Sequence, residues 1–148
     1  MSVIARFTGL LMLLTLTASA SQAQNKVPPD RVLEALVKTS LLTFNDAIVT
    51  GNYSVLHAKL SGPFRQQFSA ERLKETFKEF NTKHIDFDII AAMSPTYDPK
   101  PEVNADGKLL VAGTFPTEPS RLYFELDYIP SDGEWKLIQI NVRIGSKP

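Results

Sequence analysis

Residues 121 to 144 read RLYFELDYIPSDGEWKLIQINVRI and give the strongest indication of the fold. Over the first nine of them, every second side chain is large and apolar, which predicts a β-strand with one buried face. That face consists of Leu122, Phe124, Leu126 and Tyr128. Ser131-Asp132-Gly133 predicts a hairpin turn, and a final strand follows over residues 134–144. The stretch therefore predicts two neighbouring antiparallel strands.

The parity of the final strand predicts which of its side chains are exposed. Its buried face is expected to consist of Ile138, Ile140, Val142 and Ile144. The same parity turns Trp135 and Leu137 outward, and Tyr123 faces outward on the strand before the turn. These three side chains would form a modest apolar patch for a homodimer or for another protein.

Two more strands are predicted upstream. Ile85, Phe87 and Ile89 alternate with two aspartates, which predicts a strand over 85–89, and residues 109–115 form the next one. The proline-bearing connection over 94–108 is longer than most connections in compact domains. It is either a flap that carries Tyr97 over a ligand site or a mobile insertion.

Three helices are predicted before the sheet. Asp30 caps the first one, and Gly51-Asn52 ends it. Its buried stripe is predicted to be Leu33, Val37, Leu41, Phe44 and Ile48, with Glu34, Lys38 and Asn45 facing away. A short second helix begins at Ser54, and a third begins at the cap residue Ser69. Helices followed by a four-stranded antiparallel meander predict an α+β domain, with the helices covering one face of the sheet.

The first 23 residues are typical of a cleavable secretion signal. Arg6 supplies a basic start, an apolar segment runs over 7–20, and Ser21-Gln22-Ala23 fits the small-x-small pattern of a cleavage site. We predict cleavage after Ala23, with Ala20 as the alternative, and hence a periplasmic or secreted protein. The alternative to a cleaved signal is an uncleaved membrane anchor. Residues 24–30 are predicted to be a flexible leader, and 31–148 a single domain.

Composition excludes several classes of function. The full chain has sixteen basic and sixteen acidic residues, and Arg6 lies in the predicted signal. The remaining chain therefore has fifteen basic and sixteen acidic residues, a net charge of −1. This balance does not favour nucleic acid or an anionic membrane surface as a partner. The chain has no cysteine, which excludes thiol nucleophiles, iron–sulfur clusters and cysteine-rich zinc sites.

The order of elements resembles the nuclear transport factor 2-like superfamily, in which helices pack on a cone-shaped curved sheet. The resemblance covers nearly all of residues 31–148. It rests on the long first helix with Phe44 and Ala47, the turn at residues 51–53, the SAERL helix start at 69–73, and the DGEWKL hairpin at 132–137. Within the superfamily, the chain is most similar to small secreted bacterial domains of unknown function. The superfamily includes both enzymes and binding proteins, so the fold does not select a function.

Enzymes of this superfamily resemble one another in placing an acid or histidine base inside the cone. Strand parity instead turns Asp86, Asp88, Glu125 and Asp127 to the outer face. Tyr128 is the polar side chain expected inside. His57 lies on the short second helix near Ser61 and Arg65, and in the resembled fold this region borders the mouth of the cone. These three residues are predicted to form a polar cluster that holds an anionic or carbonyl group.

The residues favour a non-catalytic module that requires no cofactor and no metal. It would bind a small apolar or amphipathic ligand in the cone, oriented by Tyr128 and the His57–Ser61–Arg65 cluster, or a protein on its outer face. One rival hypothesis is an isomerase, dehydratase or hydrolase that uses His57 as its base. Another is a purely structural partner whose cone is filled with side chains.

Overall fold

The computed structural model describes residues 25–145. The predicted signal peptide and its cleavage sites lie outside the described residues. Helices come first and strands follow, as predicted. In the described part of the chain, no helix is both long enough and apolar enough to cross a membrane.

The first helix, α1, spans Asp30–Thr50 and contributes one side of the hydrophobic core. Its predicted apolar stripe is buried, and Gly51 adopts the left-handed conformation (φ +68°) that ends it. The start differs by one position from the prediction, because Asp30 is the first helical residue and Pro29 precedes it. Asp30 therefore acts through its negative charge at the positive end of the helix dipole rather than as a cap.

Four short helices follow α1, where two were predicted. They are α2 (Ser54–Lys59), α3 (Gly62–Gln67), α4 (Ala70–Thr76) and α5 (Lys78–Thr82). The expected break at residues 61–63 is followed at once by α3, whose second residue is Pro63, a favourable position for proline. Ser69 caps α4 as predicted, since its Oγ accepts a hydrogen bond from the Arg72 amide at 3.2 Å. The predicted third helix is interrupted at Phe77.

The predicted strand over residues 85–89 is wrong. This segment leads into a 3-10 helix at Asp88–Ala92 instead. The cause is Asn45, which was expected to face solvent but is buried on α1. Its Oδ1 accepts from the Phe87 amide and its Nδ2 donates to Asp86 Oδ1, both at 2.8 Å. The Phe87 amide is therefore bonded to a side chain and not to a neighbouring strand.

Within residues 25–145, the sheet has five antiparallel strands, two of them very short. They are β1 (Thr96–Tyr97), β2 (Glu102–Val103), β3 (Leu109–Phe115), β4 (Arg121–Ser131) and β5 (Glu134–Gly145). The order is β1-β3-β4-β5, and β2 also pairs with β3. The strands β1 and β2 come from the predicted connection over 94–108, which is therefore partly paired to the sheet. The α+β class and the antiparallel sheet are confirmed.

A β-bulge in β5 changes which of its side chains face the core. Asp127 pairs with Gln139, whereas the next residue, Tyr128, pairs with Leu137, so Ile138 is the extra residue. Before the bulge, the parity of β5 is therefore the reverse of the prediction. Leu137 is buried, with 5% of its surface exposed, and Trp135 packs against the same core.

The predicted apolar patch of Tyr123, Trp135 and Leu137 is consequently not a contiguous exposed surface. Trp135 and Leu137 lie on the inner side of the sheet, and Tyr123 lies on the outer side. The parity argument failed because it assumed an unbroken period of two across the whole of β5.

Helices and sheet share one hydrophobic core. The stripe of α1 covers the inner face of β3 and β4, and Phe44 contacts the rings of Phe77, Phe80 and Phe87. Phe115 and Phe124 pack at a centroid distance of 5.6 Å. In the described part of the chain, side chains therefore fill most of the inner sheet surface.

Candidate functional site

A cavity of about 610 Å³ lies between α1, α2 and the first residues of β5. Its walls are mainly aliphatic and aromatic. The α1 residues that line it include Val32, Ala35, Leu36, Thr39, Ser40 and Thr43. The remaining lining residues are Leu56, Ala58, Lys59, Tyr128, Glu134, Trp135, Lys136 and Leu137.

Local structure explains why these side chains meet. Leu36, Ser40 and Thr43 are four and three residues apart, so they form one stripe along α1 beside the buried stripe. The β5 bulge turns Trp135 and Leu137 inward to form the opposite wall. Without the bulge, both side chains would project from the other face of the sheet.

Tyr128 reaches this cavity from β4. Its hydroxyl donates to Ser40 Oγ at 2.9 Å, and Ser40 Oγ donates in turn to the Leu36 carbonyl at 2.9 Å. Burial raises the pKa of the Tyr128 hydroxyl well above its usual value, so the phenol stays protonated near neutral pH. The hydroxyls of Tyr128 and Ser40 thus donate within the protein, and their remaining capacity is to accept.

A second polar pair lies along the same wall. Lys59 Nζ donates to Thr43 Oγ1 at 3.2 Å. Thr43 is nearly buried, whereas Lys59 is largely exposed. At the hairpin end, Lys136 Nζ lies 3.3 Å from a carboxylate oxygen of Asp132. The cavity therefore has mainly apolar walls, with polar groups along α1 and α2 and at the hairpin end of β5.

The predicted cluster of His57, Ser61 and Arg65 does not line this cavity. The Arg65 guanidinium donates to the carbonyls of Ala58 and Leu60 and so satisfies the end of α2. The Ser61 amide donates to the Leu137 carbonyl at 2.9 Å, which ties this segment to β5. The observed contacts of Arg65 and of the Ser61 backbone are thus structural.

His57 and Ser61 nevertheless have an unusual feature. His57 Nε2 and Ser61 Oγ are both buried and have no hydrogen-bond partner within the described chain. Buried polar groups are normally satisfied by protein or by an ordered water.

Sequence reasoning predicted that Tyr128 faces inward, as it does, but it did not single out Ser40, Thr43 and Lys59. A signal for the two hydroxyls was present, since residues 36, 40 and 43 have helical spacing next to the core stripe. Nothing in the local pattern of α2 indicates that Lys59 points at Thr43, because that contact depends on how the two helices pack.

Other depressions lie elsewhere on the described part of the molecule, and two of them include residues singled out in the sequence. On the outer sheet face, the Arg143 guanidinium lies 4.0 Å from the ring centroid of Tyr123, within a groove of about 390 Å³. This groove carries both basic and acidic side chains, among them Arg121, Asp98 and Glu125. Its mixed charge is typical of a solvated sheet face.

Tyr97 lines another depression, of about 790 Å³, between the start of α1 and the residues around β2. Its ring packs edge-on against Phe124, with 6.5 Å between the two ring centroids, so the connection over 94–108 is held against the core here. Partial burial, with the nearby carboxylates of Glu34 and Asp30, raises the pKa of Tyr97 to about 12. Residues 96–97 therefore form a fixed part of the sheet edge.

Within residues 25–145, histidine and acidic side chains form no group of three able to hold a metal ion. The chain matches no protein-family model, no curated protein and no solved structure. Its own geometry must therefore support any functional assignment.

Proposed function

We propose that this chain is an exported domain that binds a small apolar or amphipathic molecule in the cavity between α1 and β5. It acts by sequestering or presenting that molecule and performs no chemistry on it. The protein works in the periplasm or outside the cell, as a cone-shaped domain of the nuclear transport factor 2-like type.

The observation that carries the proposal is the cavity itself. Ligand sites in proteins are typically concave spaces of about 300–1,000 Å³ with apolar walls and a few polar groups. The cavity has a volume of about 610 Å³, with Leu36, Trp135 and Leu137 on its walls. The hydroxyl pair of Tyr128 and Ser40 and the pair of Lys59 and Thr43 supply fixed polar contacts on one side.

Export and superfamily membership rest on other observations. The basic start, apolar segment and small-x-small site support removal of residues 1–23. Helices followed by an antiparallel sheet support the resemblance to the superfamily at the level of element order.

The rival hypotheses receive less support. His57 does not line the cavity, so a ligand there would not meet the proposed base. Trp135 and Leu137 do not share an outer surface with Tyr123, which removes the patch that favoured a homodimer or a protein partner. The filled inner surface of the sheet agrees with the purely structural rival, but that rival does not require the apolar cavity beside Tyr128.

Trp135 provides a direct test, because it is the one tryptophan in the chain and it lines the cavity. Residues 24–148 are titrated with Nile red, a neutral apolar dye, and both the dye emission and the quenching of Trp135 are recorded. The double variant Ala35→Phe/Ala58→Phe fills the cavity from two exposed wall positions. Val55→Phe, at a position that is 60% exposed and outside the lining, is the matched control.

We expect saturable binding to the wild type and to Val55→Phe, and at least tenfold weaker binding to the double variant. Circular dichroism checks that all three proteins are folded. Dye binding that the double variant leaves unchanged, or that does not quench Trp135, would contradict the proposal.

A further inference from the structure

We infer that the ligand is an anionic amphipath, whose carboxylate or equivalent acidic group binds at Lys59 and Thr43 while its apolar chain lies along Trp135 and Leu137. This inference rests on the proposed function of the cavity. It assigns the chemical class of the ligand.

Lys59 supplies positive charge at the cavity wall that no acidic side chain neutralises. Its Nζ contacts the neutral hydroxyl of Thr43, and no ion pair of Lys59 is present in the described part of the chain. An ammonium group has three donors, so the bond to Thr43 leaves two available. A ligand anion would provide the missing opposite charge.

Thr43 adds a second donor at the same place. Its Oγ1 accepts from Lys59 at 3.2 Å, and its own O–H has no acceptor within residues 25–145. Ser40 and Thr50, on the same helix, instead donate to the carbonyls four residues earlier. Two donors 3.2 Å apart can both reach one ligand oxygen at ordinary hydrogen-bond distances.

Tyr128 donates to Ser40, and Ser40 donates to the Leu36 carbonyl. The hydrogen-bonding capacity left at these two hydroxyls is therefore to accept, and they lie elsewhere along the cavity wall. Among these four side chains, the free donors are therefore at Lys59 and Thr43, and the free acceptors are at Tyr128 and Ser40. A carboxylate, which only accepts, fits the first pair and not the second.

Among the other charged residues that line the cavity, Glu134 opposes this assignment at Lys59 weakly. Lys136 is paired with Asp132 at the hairpin. Glu134 lies on β5 at the hairpin end of the cavity and is exposed. Water screens an exposed carboxylate strongly, so it weakens the attraction of an anion to Lys59 without cancelling it.

The test compares dodecanoate with dodecanol, which share an alkyl chain and differ in the acidic group. Both are titrated below their aggregation concentrations into wild-type residues 24–148, with Trp135 emission and isothermal titration calorimetry as readouts. The variants are Lys59→Gln, Thr43→Val and Glu134→Gln. Lys100→Gln is the matched control, since Lys100 lies outside this cavity.

We expect dodecanoate to bind the wild type at least tenfold more tightly than dodecanol does. A hydrogen bond to a charged group corresponds to about a tenfold effect, so Lys59→Gln should remove most of that preference. Thr43→Val should reduce the preference for dodecanoate less than Lys59→Gln does. Glu134→Gln should increase that preference, and Lys100→Gln should not alter it.

Equal affinities for the two ligands, with no effect of Lys59→Gln, would overturn the anionic assignment and leave the cavity as a neutral-ligand site. Binding of neither ligand would also overturn the assignment. The Nile red titration then reports separately on the proposed function, because that dye carries no charge.

Discussion

The hydroxyl of Tyr128 on β4 donates to Ser40 Oγ on α1 across 2.9 Å, and this bond joins the sheet to its covering helix beside the cavity. Only 1% of the Tyr128 surface is exposed, yet Tyr128 is one of the residues that line the cavity. The bond therefore has two consequences, one for stability and one for the polarity of the site.

Replacing Tyr128 with Phe should destabilise the protein by about 1 kcal/mol, because the ring is kept and one partly buried hydrogen bond is lost. Chemical denaturation of Tyr128→Phe, Ser40→Ala and the double variant gives the coupling between the two hydroxyls. We expect the double variant to be clearly more stable than the sum of the single effects predicts. Strict additivity would show that the bond contributes nothing.

Asn45→Leu should destabilise the protein by about 1–3 kcal/mol, although leucine is similar in size and good in helices. The change leaves the Phe87 amide unpaired in a buried position and removes the contact to Asp86. Hydrogen exchange should show faster exchange at the Phe87 amide. Asp46→Leu, at the next and exposed position of α1, is the control and should have a small effect.

Gly113→Ala should disrupt the pairing of β1 with β3. A Cβ at this position would lie 2.2 Å from the Thr96 carbonyl oxygen, which is backbone and can yield only if the strands separate. We expect a loss of about 1–3 kcal/mol and faster exchange at the Asp98 amide, which donates to Ala112 in the wild type. Gly62→Ala has free space around the new methyl group and should be neutral or stabilising. Equal stability of the two variants would contradict this account of the sheet edge.

Asp127 predicts a pH dependence. Burial is the main cause that raises the pKa of its carboxyl group, and Glu125 adds to the effect while Lys108 opposes it. Because the folded-state pKa lies above the unfolded value, folding favours the protonated acid. The contribution of Asp127 to the free energy of unfolding is therefore fully present below about pH 3.9. It is lost as the pH rises through the folded pKa.

The substitution Asp127→Asn should therefore raise the melting temperature at pH 7 and leave it nearly unchanged at pH 3.5, relative to the wild type. Asp106→Asn, in an exposed turn, makes the same change in net charge and serves as the control. A stabilisation of equal size at both pH values would mean that the Asp127 charge is not its cause.

The sequence predicted the elements whose pattern is local and regular. The apolar stripe of α1, the cap at Ser69 and the hairpin turn all follow from side-chain spacing and turn chemistry. In the turn, Asp132 and Gly133 both have positive φ angles, as a two-residue hairpin requires.

The errors occurred where tertiary contacts override the local pattern. Residues 85–89 alternate like a strand, but the buried amide of Asn45 bonds to their backbone from a helix some forty positions earlier. The bulge at Ile138 likewise has no signature in its own neighbours, and it reversed the predicted orientation of Trp135 and Leu137. A cavity beside Tyr128 was expected, but its other walls on α1, α2 and β5 were missed for the same reason, because they meet only after helix and sheet have packed.

The central claim is that the cavity beside Tyr128 holds a ligand, and native mass spectrometry of the protein purified gently from its own host tests it most directly. The wild type and Ala35→Phe/Ala58→Phe are compared under identical conditions. We predict that the wild type carries a co-purifying small molecule with an acidic group, and that the double variant has only the mass of the polypeptide. The claim would be contradicted if both proteins retained the molecule equally. It would also be contradicted if the wild type carried no ligand and failed to bind Nile red.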